Sequence, residues 1–272
     1  MVDSKTGVSP PSTPGKVWLV GAGPGAPDLL TLRAARLLGA ADVVLHDALV
    51  HPEVLALAVN AELIPVGKRC GAHSTAQRFI NKRLVDAARE HRVVVRLKGG
   101  DPMLFGRAQE EIDALAEAGI PFEVVPGVTA ALAASAELGV SLTRRGVART
   151  VTFVTPRIGD EETASDWVKA AVSADTAALY MGAGQAEALA RTLIENGLPA
   201  STPVVVVRDA SLPSSITRAG VLRDLPMLCA TQDDGTPSPA VILLGETLAA
   251  AVVKDAAPAQ WIEPEPLRRA AV

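Results

Sequence analysis

Short apolar, β-branched runs alternate along this chain with segments whose apolar residues recur at helical spacing. In the first half the runs fall at 16–21, 42–46, 62–66, 92–97 and 121–125, and the helical patterns at 28–39, 51–58, 74–90, 104–118 and 127–138. This alternation predicts a parallel sheet with helices on both faces, because a parallel pair needs a crossover long enough to hold a helix. Gly119-Ile120-Pro121 stops the fourth helix and opens the fifth strand. Between 139 and 149 the pattern fades into Val-Ser-Leu-Thr-Arg-Arg-Gly-Val-Ala-Arg, which marks a hinge. Strands resume at 150–155, 176–181, 203–208, 214–219 and 240–245, with helices near 165–173 and 184–196. The short Asp-Ala-Ser-Leu-Pro link after 203–208 permits an antiparallel hairpin, so the second sheet is expected to be mixed. The expectation is an α/β fold of two α/β domains, 16–143 and 144–250, between a flexible arm (1–15) and a mobile tail (251–272).

Composition narrows the function. The 272 residues, 49% hydrophobic, suffice for one large core or two medium ones. No run approaches the roughly 18 uninterrupted apolar residues of a membrane span. The first residues, with Pro10, Pro11 and Pro14, lack the apolar segment of a signal peptide. Cys70 and Cys229 lie far apart and form no Cys-x-x-Cys pair, so a cytoplasmic protein with free thiols is expected. A net charge of −4 argues against broad capture of nucleic acid. The basic residues nevertheless bunch at Lys68-Arg69, Arg96 and Lys98, Arg107, Arg144-Arg145 and Arg149. Confined basic clusters in an acidic chain suit an anionic small molecule, while for any one of them a solvated surface charge is the ordinary reading. The four histidines (46, 51, 73 and 91) show no metal-ligand spacing, and no metal is assigned.

The chemistry gathers at three turns. Val17-Trp18-Leu19-Val20 runs into Gly21-Ala22-Gly23-Pro24-Gly25-Ala26-Pro27-Asp28, a strand breaking into a glycine-rich turn before a helix. Gly21, Gly23 and Ala26 satisfy a tolerant dinucleotide fingerprint, and Asp47 closes the second strand where a ribose-binding acid would stand. Pro24 and Pro27 oppose that reading, since a pyrophosphate needs backbone N–H donors that proline lacks. Lys98-Gly99-Gly100-Asp101-Pro102 and Pro126-Gly127-Val128-Thr129-Ala130 follow two further strands in the same manner. Glycine makes tight turns without any ligand, yet three such turns at equivalent strand ends would line one crevice with backbone. Asp101 stands out, because an acid between Gly-Gly and Pro has little packing reason to be there.

Taken in order, Gly21-Ala22-Gly23-Pro24-Gly25, Val66-Gly67-Lys68-Arg69, Lys98-Gly99-Gly100-Asp101-Pro102, Phe105-Gly106-Arg107, Val125-Pro126-Gly127-Val128-Thr129-Ala130 and Tyr180-Met181-Gly182 resemble the tetrapyrrole methylases. The resemblance covers roughly 16 to 248 and is closest to the branch acting on uroporphyrinogen III. It implies the class III methyltransferase fold, with S-adenosylmethionine in a cleft between two α/β domains, and a homodimer. It also implies methylation of uroporphyrinogen III at C2 and C7 to precorrin-2 by way of precorrin-1, which leads to sirohaem, cobalamin or haem d1.

By the same resemblance Asp47 and Lys68 match a proton acceptor and donor, and Arg107, Glu110 and Arg145 match substrate-handling positions. Guanidinium stays protonated, so Arg107 is read as an anchor for substrate carboxylates rather than a base. The matching cofactor set is Pro24, Gly99, Gly100, Asp101, Leu104, Thr129, Ala130, Met181, Ala210 and Ala240. Without a ligand, Asp47 would cap a turn, Lys68 would be surface charge and Met181 core.

The chain departs from the common pattern at Ala26, where an acid is usual, and at Ala48, Arg144 and Pro156-Arg157. The rivals are a methylase of a later precorrin, an RNA or modified-histidine methylase of the same fold, an NAD-dependent oxidoreductase and a non-catalytic tetrapyrrole carrier. No fused dehydrogenase–ferrochelatase segment is visible, so a stand-alone methylase is expected.

Overall fold

A computed structural model of the chain describes residues 14–67, 74–156, 166–230 and 238–253. The first half forms β1 (Lys16–Gly21), α1 (Leu32–Ala40), β2 (Val43–His46), α2 (Pro52–Leu55), β3 (Glu62–Pro65), α3 (Ser74–Glu90), β4 (Val93–Lys98), α4 (Ala108–Glu117), β5 (Phe122–Val125) and α5 (Ala130–Leu138). Its five strands lie in the order β3-β2-β4-β1-β5, and every pair is parallel. The second half forms β6 (Val151–Val154), α6 (Trp167–Ser173), β7 (Thr176–Tyr180), α7 (Ala186–Glu195), β8 (Pro203–Arg208), β9 (Ile216–Val221), α8 (Leu225–Cys229), β10 (Ala240–Gly245) and α9 (Ala249–Val253). Its order is β6-β7-β10-β8-β9, with β6·β7 parallel and the other pairs antiparallel. The expected β8–β9 hairpin and mixed second sheet are both present.

Strand alternation supplies two apolar layers per sheet. In the first sheet Val20, Val44, Val95 and Leu97 face α1 and α2, while Val17, Leu19, Val43, Leu45 and Val94 face α3 and α4. In the second, Val204, Val206, Ile242 and Leu244 pack with α6, α7 and α8. Val205, Val207, Val241 and Leu243 on its other face pack with Ala131, Ala133 and Ala134 of α5. Thus α5, which precedes the hinge expected at 143–144, covers the second sheet. The chain crosses between sheets along this alanine-rich helix.

Several helices begin later than their periodicity suggests. The 28–39 pattern splits into a 3₁₀ turn (Pro27–Leu29) and α1, because the Thr31 hydroxyl accepts the Ala34 N–H and caps a new start. The 104–118 pattern begins only at Ala108, since Arg107 before it is left-handed at φ 54°. Short α8 and α9 were absent from the sequence reading, and α9 runs into the segment expected as tail.

Candidate active site

Because the first sheet is wholly parallel, β1, β2, β4 and β5 all deliver their carboxyl ends to one edge. The three glycine turns meet there. The Ala22 N–H donates to Lys98 C=O (2.7 Å), and Gly23 and Gly100 exchange both backbone bonds (3.2 and 2.7 Å). A Cβ on Gly127 would lie 2.3 Å from the Gly100 oxygen, and one on Gly21 would lie 2.6 Å from the Gly127 Cα. The glycines therefore let three turns touch one another. Asp101 completes this contact: its Oδ1 accepts the Met103 N–H (2.8 Å) and its Oδ2 the Gly127 N–H (2.9 Å). The expectation that this acid lacks a packing role is overturned, because it ties the β4 turn to the β5 turn.

The second sheet contributes a facing edge. β10 runs against β7 and β8, so its first residues lie beside their last ones, with Ala240 opposite Arg208 and Val241 opposite Tyr180. This register gathers Met181, Ala210 and Ala240 at one edge. Met181 is left-handed at φ 57° and 45% exposed, which removes the core reading. Polar contacts join the edges: Thr129 Oγ1 lies 2.7 Å from the Tyr180 phenol, and Ala26 N–H donates to Ser211 Oγ (3.0 Å). The phenol also accepts the Ala131 N–H (3.2 Å), and the Phe105 ring lies 5.2 Å from the Tyr180 ring. Burial pushes the Tyr180 pKa up, against the bonds from Thr129 and Ala131. Pro24 sits in the first turn, half-buried Leu104 donates its N–H to Asp101 C=O (3.3 Å), and Thr129 and Ala130 open α5. Among the described residues the non-glycine positions at positive φ are Phe105, Arg107, Met181, Asp209 and Ser211, and all five follow strands ending at these edges. Backbone strain of this kind concentrates where geometry serves a ligand.

Behind the first edge lies a buried charge network. β4 alternation points Val94, Arg96 and Lys98 toward α4, so two cations follow a valine into the interlayer. Glu111 of α4, wholly buried, answers both: its Oε1 accepts from Arg96 Nε (2.9 Å), and both its oxygens lie 3.0 Å from Lys98 Nζ. Arg96 reaches on to Asp47 Oδ1 (2.5 Å). Burial drags the Arg96 guanidinium down, but Asp47 and Glu111 more than restore it. Burial, aided by the Arg96 charge, pushes Lys98 below its ordinary range despite Glu111. Arg96 and Lys98 are thus no surface anchors for an anion, contrary to the reading of a basic cluster. Among the described residues Asp47 caps no turn through its side chain. Its carboxylate is partly exposed at 29%, with Oδ1 held by Arg96.

Arg107 and Glu110 form an exposed bidentate pair (2.6 and 2.8 Å) on the first turn of α4. Arg145 sits on an exposed turn closed by Arg144 N–H to Ala148 C=O (2.9 Å), and among the described residues no ion pair joins it to the other candidates. Lys68, Arg69, Cys70 and Arg157 lie outside the described residues, while Cys229 is a buried free thiol. Sequence reading left Glu111, Tyr180 and Glu137 without roles. Glu111 had a signal, since it falls on the buried stripe Ala108–Glu111–Leu115 of an amphipathic helix.

Comparison with known proteins agrees with this geometry. Residues 16–226 match the family Tetrapyrrole (Corrin/Porphyrin) Methylases. The siroheme synthase of Chromobacterium violaceum is 48% identical over 235 residues, 86% of this chain and 50% of that protein. The chain spans about half the length of the curated relatives it matches. The native uroporphyrin III C-methyl transferase from Thermus thermophilus superposes with a TM-score of 0.75 at 39% identity, covering 87% of this chain and 100% of that one. A structure of that enzyme with S-adenosylhomocysteine gives 0.73 at 38% identity, with the same coverage. The chain belongs to the tetrapyrrole methylase family. It is an S-adenosylmethionine-dependent methyltransferase, and the dinucleotide reading of the first turn is set aside.

Proposed function

We propose that this enzyme methylates uroporphyrinogen III at C2 and then C7, giving precorrin-2 by way of precorrin-1. The observation that carries the reading is the match, over the whole length of a separate uroporphyrin-III methylase, of a chain whose two strand-end edges meet at Thr129–Tyr180 and Ala26–Ser211. The residues present fit the cosubstrate. Gly99, Gly100, Thr129, Ala130, Ala210 and Ala240 are small, so backbone can approach a ligand, and Pro24, Leu104 and exposed Met181 add apolar surface. Asp101 serves by bracing the turns around them. When bound, S-adenosylmethionine supplies a methyl group whose C–S bond breaks as the new C–C bond forms.

The chain's own work is positioning and proton removal. Attack by a pyrrole-derived carbon leaves positive charge on the macrocycle, which a proton must leave to discharge. Asp47 is the acceptor in this reading: Arg96 holds one oxygen, and the partly exposed carboxylate presents the other. Lys68 is proposed as the donor. The substrate's acetates and propionates call for guanidinium anchors, a role given to Arg107 and Arg145. Glu110 orients Arg107, and exchanging that exposed pair for a substrate carboxylate costs about 0–1 kcal/mol. The enzyme is proposed to act as a homodimer in the cytoplasm.

The test is anaerobic incubation with uroporphyrinogen III and methyl-labelled S-adenosylmethionine, followed by mass analysis of the tetrapyrrole. Two added methyls support the reading, and absence of transfer to this substrate, or transfer only to a later precorrin, overturns it. In parallel, S-adenosylhomocysteine and not NAD should raise the melting temperature.

A further inference from the structure

Three segments expected to line the cosubstrate cleft are tied together by one side chain outside it. Glu137, on the last turns of α5, accepts the Ser211 N–H through Oε2 (3.1 Å) and the Ser215 hydroxyl through Oε1 (2.5 Å). Ser215 Oγ also lies 3.2 Å from Arg208 C=O, so the carboxylate gathers the whole loop after β8. That loop contains Asp209 at φ 48° and Ser211 at φ 75°, left-handed conformations that persist only where surrounding contacts hold them. Held this way, Ser211 turns its hydroxyl to accept the Ala26 N–H, and Leu212 packs so closely on Gly25 that a Cβ there would lie 2.7 Å from its Cγ. The path runs from α5, whose other end carries Thr129 and Ala130, through the loop carrying Ala210, to the turn carrying Pro24.

We infer that Glu137 is a positioning residue for cosubstrate binding, acting through Ser211 to hold the Pro24–Ala26 turn against the loop after β8. The inference rests on the reading that this cleft takes S-adenosylmethionine. It also gives the alanine at 26, where an acid is usual in the family, a physical setting: its backbone N–H is engaged across the cleft.

The experiment measures S-adenosylhomocysteine affinity by titration calorimetry for wild type, Glu137→Ala, Ser211→Ala and the double variant. Charge-assisted hydrogen bonds of this kind predict a loss of about tenfold or more in Glu137→Ala. Because Glu137 acts through Ser211, the double variant should bind no worse than the weaker single variant. Glu137→Gln, which keeps one acceptor, should fall between wild type and alanine. Hydrogen exchange at the Ala26 and Ser211 amides, measured without ligand, should rise in Glu137→Ala. Unchanged affinity in Glu137→Ala, or additive losses in the double variant, would overturn the inference and leave the cleft assignment standing. Failure of wild type itself to bind S-adenosylhomocysteine would remove the cleft assignment and this inference with it. Should Glu137→Ala not fold, Ser211→Ala alone still decides: binding equal to wild type refutes the path.

Discussion

Glutamine at position 111 would remove the buried carboxylate that hydrogen-bonds both Arg96 and Lys98 between β4 and α4, while keeping shape and volume. Three charges would then remain where four stood, and only Asp47, at the exposed end, would still be negative. Breaking a buried pair from one side costs about 3–5 kcal/mol, because the surviving charge stays desolvated. An upper bound comes from Lys98 itself, which can shed its proton. With an ordinary pKa of 10.5, neutralising it at pH 7 costs about 5 kcal/mol at roughly 1.4 kcal/mol per unit. The penalty of Glu111→Gln at pH 7 should therefore fall at about 3–5 kcal/mol, or roughly 6–20 °C in melting temperature for a domain of this size. Its pH dependence follows from the direction of the Lys98 shift. Losing Glu111 lowers the folded-state pKa of Lys98 further, so between that value and 10.5 the unfolded chain holds more protons than the folded one. Stability of the variant then rises with pH relative to wild type, by up to about 1.4 kcal/mol per unit, and the gap closes toward alkaline pH. Urea denaturation of both proteins from pH 7 to 9.5 measures this, and Glu111→Gln with Lys98→Met should recover much of the loss. A penalty below about 1 kcal/mol, or one unchanged across that range, would refute the account of the network.

Arg107→Ala should lose turnover while keeping S-adenosylhomocysteine affinity by calorimetry. Loss of cosubstrate affinity would place Arg107 on the wrong side of the cleft. Gly127→Ala sets a Cβ against the Gly100 oxygen and should cost about 1–3 kcal/mol, whereas Gly39→Ala, in a helix with open space around it, should gain about 0.5–1 kcal/mol. Thermal melts of the two variants test the contrast, and equal effects would contradict it. Asp175 accepts the Arg149 and Thr150 N–H groups (2.8 and 2.9 Å) and the Thr150 hydroxyl, bonds that hold its pKa below its ordinary 3.8. A lowered carboxylate pKa contributes stability that is present above the unfolded value and lost as pH falls through the folded one. The melting-temperature gap between wild type and Asp175→Asn should therefore shrink as pH drops below 3.8, and a constant gap would count against that role.

The layers of the fold were legible because short β-branched runs such as Val93-Val94-Val95 and Val204–Val207 alternate along the chain with segments of helical spacing, which calls for a sheet covered by helices. Convergence of the glycine turns was legible for the same reason, since parallel strands must end together. Less visible was what the polar residues do. Arg96 and Lys98 read as members of a basic cluster, and only the register of β4 against α4 shows them to be interior and answered by Glu111. Asp101 read as a ligand contact, and its partner Gly127 is distant in sequence, so its bracing role had no local trace. Positive φ at Phe105 and Arg107 delayed α4 beyond its apolar periodicity, because helical spacing carries no information about a left-handed residue just ahead of it. The pairing of Glu137 with the Ser211 N–H and the Ser215 hydroxyl joins groups far apart in sequence, so it too left no local trace.

The strand order of the first sheet has a consequence for how the protein is made. β1 is synthesised before the other strands of its sheet, yet it lies inside that sheet, with Val17 paired to Val94 of β4 on one side and Phe122 of β5 on the other. Neither neighbour exists when β1 is synthesised, so its apolar edges must wait through most of the first half, and pairing across such separations is slow. The close contact of Gly21, Gly100 and Gly127 is then among the last features of that sheet to assemble. A nascent chain stalled before β5 should remain open to chaperones and proteases, and one released after it should not.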